Sequence, residues 1–167
     1  MSKEKVCVYA GSLDPITNGH LWMIEQGSKM YDNLIVAIGV NSEKKYTFSL
    51  EDRIKMLQET VKELPNVSID EFSSKYLVKY AQQVGADFIL RGVRNINDFV
   101  YEQAMNNINR DINPNITTTI LMPPRELCEI SSSLVRGLIG PDGWEDIVCQ
   151  YVPQPVFNKL KEIYGRK

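Results

Sequence analysis

Short apolar runs and longer amphipathic stretches alternate along this chain. A short, mostly apolar or β-branched run bounded by turn residues is typical of a buried strand. Five segments have this character: Val6 to Ala10, Leu34 to Val40, Val67 to Phe72, Asp87 to Leu90 and Thr117 to Met122. The pattern therefore predicts five strands, each followed by other structure.

The stretches between these strands carry apolar residues at helical spacing. The predicted helices run from Leu21 to Met30, from about Ser49 to Leu64, from about Ser74 to Val84 and from Ile96 to Arg110. Ser49-Leu50-Glu51-Asp52 has the pattern of a capping box, which predicts the start of the second helix. Beyond Pro123-Pro124 we expect two or three helical pieces, with breaks near Gly140-Pro141-Asp142-Gly143 and Pro153 to Pro155.

Strands that alternate with helices predict an α/β fold with helices on both faces of a parallel sheet and right-handed crossovers. We expect a doubly wound five-stranded sheet in the common order 3-2-1-4-5, followed by C-terminal helices. Ligands bind such sheets at the carboxyl ends of the strands, where the winding reverses. Here the reversal lies between the first strand, whose turn ends at His20, and the fourth, whose turn carries Arg91 and Arg94.

Length and composition narrow the class of protein. The 167 residues suit one domain, predicted over residues 1–167, and 43% hydrophobic with 24% charged residues is ordinary for a soluble protein. No apolar run approaches the roughly 20 residues that would span a membrane, so no membrane partner is expected. Residues Met1 to Lys5 lead directly into a strand without the apolar region of a signal peptide. We expect a cytoplasmic location.

Cysteine usage and net charge exclude further classes. Cys7, Cys128 and Cys149 are odd in number and far apart, and the chain has one histidine, so neither disulfides nor a protein metal site is predicted. The net charge of −2 argues against a general nucleic-acid binder, which would show a basic excess. Any anion site must therefore be local.

The turn from Gly11 to His20 is the best candidate for such a site. Unpaired backbone N–H groups and the positive end of the helix dipole gather where a strand leads into a helix, and anions bind there. The dipole also opposes protonation of His20, so we expect a neutral imidazole with one N–H donor. The turn has neither P-loop nor G-x-G-x-x-G spacing, and ordinary turn chemistry could explain its glycines and proline.

Four motifs in order give the chain a resemblance to a known family. Gly11-Ser12-Leu13-Asp14-Pro15 with Thr17-Asn18-Gly19-His20 resembles the T-x-G-H signature of the nucleotidyltransferase superfamily, and Ile130-Ser131-Ser132-Ser133-Leu134-Val135-Arg136 resembles its second motif, I-S-S-x-x-[VL]-[RK]. Arg91-Gly92-Val93-Arg94 followed by Asp98 to Glu102, together with the Lys44-Lys45 pair, is similar to the bacterial phosphopantetheine adenylyltransferases. The likeness covers about residues 5 to 160 and implies a Rossmann-like nucleotidyltransferase domain.

This resemblance implies transfer of AMP from ATP to 4′-phosphopantetheine, with dephospho-coenzyme A and pyrophosphate as products. The attacking phosphate, with a second pKa of about 6, is already ionised at pH 7 and needs no general base. Direct in-line attack without a covalent intermediate would then need only positioning and charge stabilisation. Mg²⁺ is expected to arrive on the phosphates of ATP. The family likeness also implies a homohexamer.

The resemblance also assigns residues to roles. His20 would donate to the α-phosphate, Lys44 would reach the phosphates from a mobile loop, and Arg91 would contact the phosphate of phosphopantetheine, which makes these three the candidate catalytic residues. Contacts to ATP are implied for Ser12, Leu13, His20, Gly92, Val93, Arg94, Glu102, Leu127, Cys128, Glu129, Ile130, Ser131, Ser132 and Ser133, and contacts to phosphopantetheine for Ser12, Lys44, Leu77 and Arg91. Ser12 and Leu13 stand where the family usually has threonine and phenylalanine.

Other interpretations stay open from the sequence. Lys44 could be one of several solvated charges, and the serines at 131–133 could simply cap a helix. Arg94, Asp98 and Glu102 lie four residues apart and could form a structural row of ion pairs. At the level of function, the alternatives are a sister adenylyltransferase or cytidylyltransferase, or a non-catalytic nucleotide-binding regulator.

Overall fold

Residues 3–165 are described by a computed structural model. Residues 1–2 and 166–167 lie outside the described residues. They belong to the predicted domain of residues 1–167, and residues 1–2 also to the predicted segment from Met1 to Lys5 before the first strand. The strands are β1 (Val6–Gly11), β2 (Asn33–Val40), β3 (Val67–Ser73), β4 (Phe88–Gly92) and β5 (Thr117–Leu121). The α-helices are α1 (Asn18–Met30), α2 (Leu50–Val61), α3 (Leu77–Gln83), α4 (Ile96–Ile112), α5 (Ser132–Leu138), α6 (Trp144–Val148) and α7 (Gln154–Tyr164).

The sheet confirms the predicted topology. Within residues 3–165 the five strands form one sheet in the order β3-β2-β1-β4-β5, and every neighbouring pair is parallel. On the central strand, Val8 lies opposite Ile35 of β2 and Ile89 of β4. Because the chain reverses its winding between β1 and β4, a crevice opens at their carboxyl ends.

Successive residues of β1 face two different hydrophobic layers. Cys7 and Tyr9 face one layer, which α1, α2 and the three C-terminal helices cover, while Val8 and Ala10 face a second layer beneath α3 and α4. Side chains alternate between the faces of a strand, so a strand covered on both sides is apolar throughout. This is why the inner strands β1, β2 and β4 consist mostly of apolar residues, whereas the edge strands β3 and β5 also contain polar ones.

The helix boundaries differ from the predictions at several ends. The first helix begins at Asn18 rather than Leu21, after Thr17 in an extended conformation, which places His20 in its first turn. The third begins at Leu77 rather than Ser74, because Ser74 has a φ of 55° that a right-handed helix cannot contain. Ser49 does cap the second helix by accepting a hydrogen bond from the backbone N–H of Asp52, but that helix ends at Val61 instead of Leu64.

Gly27 lies where α1 approaches the sheet most closely. A Cβ atom at this position would lie 2.9 Å from Leu90 Cδ2 and 3.0 Å from Leu34 Cδ2. A larger residue would therefore push the helix away from the strands or force both leucines out of their rotamers. By contrast, a Cβ atom on Gly137 of α5 would meet nothing within 4 Å.

We predict that Gly27→Val lowers the free energy of unfolding by about 1–3 kcal/mol through overpacking. The matched variant Gly137→Val should change it by less than about 0.5 kcal/mol, since the new side chain enters open space. Urea denaturation followed by circular dichroism measures both. Equal effects of the two substitutions would contradict the close packing of α1 on β2 and β4.

Candidate active site

The first turn of α1 fixes the orientation of His20. The backbone N–H of Thr17 donates to His20 Nδ1 at 3.0 Å, and Thr17 Oγ1 lies 2.9 Å from the same nitrogen. His20 thus occupies the position at which glutamate or glutamine completes a capping box. Because Nδ1 accepts a hydrogen bond, the proton of the neutral ring resides on Nε2. The ring is left with one donor, Nε2–H.

The surroundings of His20 keep that ring neutral. Burial, followed by the nearby positive charge of Arg94, lowers the pKa of His20 from 6.5 to about 4. Desolvation, rather than the helix dipole expected from the sequence, is the largest cause of the neutral ring. His20 can donate a hydrogen bond at pH 7 without carrying a charge.

The serine-rich segment packs directly on this turn. Ser132 Oγ donates to the carbonyl oxygen of Pro15 at 2.7 Å, and the guanidinium of Arg136 donates to the carbonyl oxygen of Asp14. Ser131 caps α5 by accepting from the N–H of Leu134, so the capping interpretation holds for that residue. The two signature segments form one continuous surface although they are more than 100 residues apart in the chain.

A cavity of about 440 Å³ lies between these two segments. His20 and most of the residues predicted to contact ATP line this cavity. Arg94 also lines it, and its guanidinium donates to the carbonyl oxygen of Ile130 at 3.3 Å. Of the predicted contacts, it is lined by Ser12, His20, Gly92, Arg94, Leu127, Ile130, Ser131, Ser132 and Ser133. We call it the His20 cavity.

A second cavity of about 590 Å³ adjoins the first. Of the predicted phosphopantetheine contacts, Ser12, Lys44, Leu77 and Arg91 all line it. The two cavities share a wall made of Ala10, Gly11, Ser12 and Arg91. The crevice predicted between β1 and β4 is therefore two compartments that meet at Ser12 and Arg91, and we call the larger one the Leu77 cavity.

Two cationic side chains, Lys44 and Arg91, lie at this shared wall. Lys44 is exposed, and its ammonium donates to Ser12 Oγ at 3.0 Å. Arg91 donates through Nε to both carboxylate oxygens of Glu102 at 2.9 Å, through Nη2 to the same carboxylate, and through Nη1 to the carbonyl oxygen of Ala10 at 3.0 Å. The Arg91 guanidinium is thus rigidly oriented before any ligand binds.

Five predicted nucleotide contacts lie elsewhere. Glu102 is buried against Arg91 in the Leu77 cavity rather than the His20 cavity, and it does not join the Arg94–Asp98 pair in a row. Leu13 and Val93 are buried in the interior, and the side chains of Cys128 and Glu129 lie outside both cavities as far as the described residues show. The apolar side chain of Leu13 therefore packs into the core and does not line either cavity.

Sequence reasoning missed two buried charges beneath the site. The Asp14 carboxylate accepts from the backbone N–H groups of Thr47 and Phe48, both at 2.9 Å, and Arg53 donates to the carbonyl oxygen of Ser12 at 2.8 Å. Arg53 stands among the buried residues of α2. An arginine at a core-facing position of an amphipathic helix was the signal that could have revealed it.

The described residues form neither a membrane-spanning helix nor a cluster of metal ligands. Between residues 3 and 165, no helix is long and apolar enough to cross a membrane. Over the same residues, no group of three or more histidine, cysteine, aspartate or glutamate side chains could hold a metal ion.

We predict that His20 titrates well below the ordinary histidine range. As the chain has one histidine, ¹⁵N-labelled protein gives one imidazole to follow by NMR. It should stay neutral with the proton on Nε2 down to about pH 5, because its pKa is about 4.

The same pKa shift makes the stability depend on pH. In the unfolded chain His20 is protonated near pH 6.5, so its contribution to the free energy of unfolding is full above that pH and is lost as the pH falls towards 4. A pKa near 6.5, or a proton on Nδ1, would contradict this geometry.

Known proteins resemble this chain in sequence and in fold. Residues 8–138 match the cytidylyltransferase-like family model. The chain is 49% identical over 163 residues to the phosphopantetheine adenylyltransferase of Chromobacterium violaceum, and the alignment covers 98% of this chain and 99% of that protein. It is 51% identical over 153 residues to the phosphopantetheine adenylyltransferase of Neisseria meningitidis, with 92% of this chain and 90% of that protein covered. The nicotinic acid mononucleotide adenylyltransferase of Plasmodium falciparum shares the fold, with a TM-score of 0.70 and 15% identity over 97% of this chain and 96% of that one. The chain therefore belongs to the phosphopantetheine adenylyltransferase family of cytidylyltransferase-like nucleotidyltransferases.

Proposed function

We propose that this enzyme transfers the adenylyl group of ATP to 4′-phosphopantetheine, giving dephospho-coenzyme A and pyrophosphate. The observation that carries the proposal is the shared wall of the two cavities at Ser12 and Arg91. A donor nucleotide in one cavity and an acceptor in the other would have their phosphates meet at this wall. The names of the relatives describe the same activity.

The His20 cavity suits the nucleotide. It offers the Nε2–H of His20, the charge of Arg94 and the hydroxyl groups of the serine segment, all of them donors to phosphate oxygens. During attack, negative charge grows on the α-phosphate, and a fixed donor that already points there stabilises it without reorganisation. His20 acts in this scheme as a donor and not as a base.

The Leu77 cavity suits an acceptor with a phosphate at one end and a long neutral arm. Lys44 and Arg91 stand at the end shared with the nucleotide, whereas Phe72, Leu77 and Met105 line the larger cavity alone. The acceptor phosphate is largely ionised at pH 7, so it can attack the α-phosphorus directly and no covalent enzyme intermediate is needed. The protein contributes alignment and charge stabilisation.

Magnesium would arrive with the nucleotide. Mg²⁺ favours carboxylate and phosphate oxygens, and none of the described residues that line the His20 cavity is an aspartate or glutamate. Those residues therefore do not form a protein cage for the ion. We propose that ATP carries Mg²⁺ on its phosphates, and we assign no step of the reaction to a protein-bound metal.

The site favours this reaction over the alternatives. A mononucleotide acceptor would bring a flat base to the larger cavity, whereas the apolar side chains of Phe72, Leu77 and Met105 in its lining suit a flexible arm. A regulatory module without catalysis would not need the ordered set of His20, Lys44 and Arg91 around one wall. As further parts of the proposal, the enzyme acts in the cytoplasm and binds no nucleic acid, consistent with its net charge of −2.

A homohexamer is the assembly that we propose. Its support in the structure is a group of exposed apolar side chains on one face of α4, where Ile96, Phe99 and Val100 are 70%, 42% and 58% exposed. Large exposed apolar patches commonly mark contacts between proteins. Burial of this helix face between copies would remove it from water.

The transfer reaction tests the proposed function directly. We expect the purified protein with ATP, Mg²⁺ and 4′-phosphopantetheine to release pyrophosphate and dephospho-coenzyme A in equal amounts, measured by chromatography. Parallel reactions replace the acceptor with nicotinamide mononucleotide or ATP with CTP, and should give no product. Product from either replacement, without product from phosphopantetheine, would overturn the assignment.

The matched control for this reaction is His20→Ala, purified in the same way. Loss of a donor to the transition state lowers kcat by about 10²-fold or more. The melting temperature identifies any loss of fold, because the variant also removes the acceptor for the Thr17 N–H. An unchanged kcat would remove His20 from the mechanism or reveal a contaminating enzyme.

The assembly proposal predicts the behaviour of two surface variants. Val100→Glu places a charge on the exposed face of α4 and should reduce the mass in solution from six chains to fewer, measured by light scattering after gel filtration. Ile163→Glu, on α7 and 45% exposed, is the matched control and should leave the mass unchanged. A wild-type protein that elutes as one chain would refute the hexamer.

A further inference from the structure

Arg53 is a buried cation with no acidic partner. Its side chain lies on α2, the residue is 2% exposed, and none of the ion pairs between residues 3 and 165 includes it. Its Nε atom is buried and has no hydrogen-bond partner among the described residues. A buried, unpaired charge is costly, so its presence calls for a reason other than packing.

The contacts that Arg53 does make lead to the shared wall of the cavities. Its Nη1 donates to the carbonyl oxygen of Ser12 at 2.8 Å, and its guanidinium lies over the ring of Tyr46 with 4.1 Å to the ring centroid. Both partners line the Leu77 cavity. Arg53 lines neither cavity and so lies one layer beneath them.

These two partners are the supports of Lys44. Ser12 Oγ accepts the hydrogen bond from the Lys44 ammonium at 3.0 Å. The hydroxyl of Tyr46 accepts from the backbone N–H of Asn41 at 2.8 Å and donates to the carbonyl oxygen of Gly39 at 3.3 Å. Tyr46 therefore closes the segment 41–46, which carries Lys44, onto the end of β2.

The same segment has a second anchor that does not involve Arg53. Asp14 accepts from the backbone N–H groups of Thr47 and Phe48 at the end of the loop. Met56 and Leu57, on the next turn of α2, are buried in the core with 4% and 0% exposure. Removal of Arg53 should therefore loosen residues 41–46 while the fold and the rest of α2 persist.

We propose that Arg53 is a positioning residue for the transfer reaction, which fixes Ser12 and the Lys44 segment against each other at the end of the acceptor cavity. This proposal rests on the proposed function. Its positive charge, uncompensated by a carboxylate and screened little by water, also raises the potential at the place where two phosphates must meet.

Steady-state kinetics distinguishes this role from a structural one. Arg53→Met should lower kcat about 10- to 100-fold, the scale of a misplaced catalytic group. The change in KM for ATP should be smaller, because Arg53 contacts the lining of the His20 cavity through Ser12 and leaves His20 and the serine segment in place. Arg53→Lys should recover part of the loss, since an ammonium can still donate to Ser12 but cannot stack flat on Tyr46. Met56→Ala is the control that destabilises α2 without touching the site, and its kcat should equal that of the wild type below its melting temperature.

A double-mutant cycle with Lys44→Ala tests whether Arg53 acts through Lys44. If it does, Arg53→Met should lower kcat much less in the Lys44→Ala background than in the wild type. Multiplicative losses in the double variant, or an Arg53→Met enzyme with the kcat of the wild type, would overturn the proposal.

Limited proteolysis gives a readout that needs no activity. Lys44 and Lys45 are exposed sites for trypsin, and cleavage there depends on local opening of the segment. Arg53→Met should speed cleavage after these lysines at least several-fold, as identified by mass spectrometry, whereas Met56→Ala at matched stability should not. A wild type without transfer activity would refute the proposed function, and unchanged cleavage in Arg53→Met would refute the role of Arg53.

Discussion

The turn between β1 and α1 is held by side chains that come from distant parts of the chain, and the whole site depends on this. Three carbonyl oxygens of the turn accept from them: Ser12 from Arg53, Asp14 from Arg136 and Pro15 from Ser132. Backbone groups that have left a strand and not yet entered a helix must find such partners when they are buried. Here the partners are supplied by α2 and α5, so those helices and the turn form one rigid unit.

The electrostatics of His20 follow from the same construction. The N–H of Thr17 donates to Nδ1. Desolvation of the half-buried ring, followed by the positive charge of Arg94, lowers the pKa of His20 to about 4. A neutral donor among cations suits a reaction in which both reactants are anions, because the cations attract the phosphates while the neutral ring directs one hydrogen bond. The reaction needs no general base, since the attacking phosphate is already ionised at pH 7.

The sequence predicts the parts of this structure that depend on local pattern. Short apolar or β-branched runs predicted the five strands, the capping sequence at Ser49 predicted the start of α2, and the alternation of strands and helices predicted the sheet order. Contacts between distant segments were harder to predict. The ion pair of Glu102 with Arg91 forms because the first turns of α4 pass beside the end of β4, which no local pattern indicates. The contact of Glu102 with ATP stays a prediction. Arg53 and the inward packing of Leu13 likewise depend on which neighbours the tertiary fold brings close.

The pairing of Arg91 with Glu102 explains how one arginine can serve two cavities. A guanidinium has five N–H donors. In Arg91, Nε–H and one N–H of Nη2 are directed to Glu102, and one N–H of Nη1 is directed to Ala10. One donor is left on each terminal nitrogen of a group whose plane is already fixed, and Arg91 lines both cavities. A residue held in this way loses little freedom when ligands bind, so in the proposed reaction it would orient the phosphates at the shared wall rather than merely attract them.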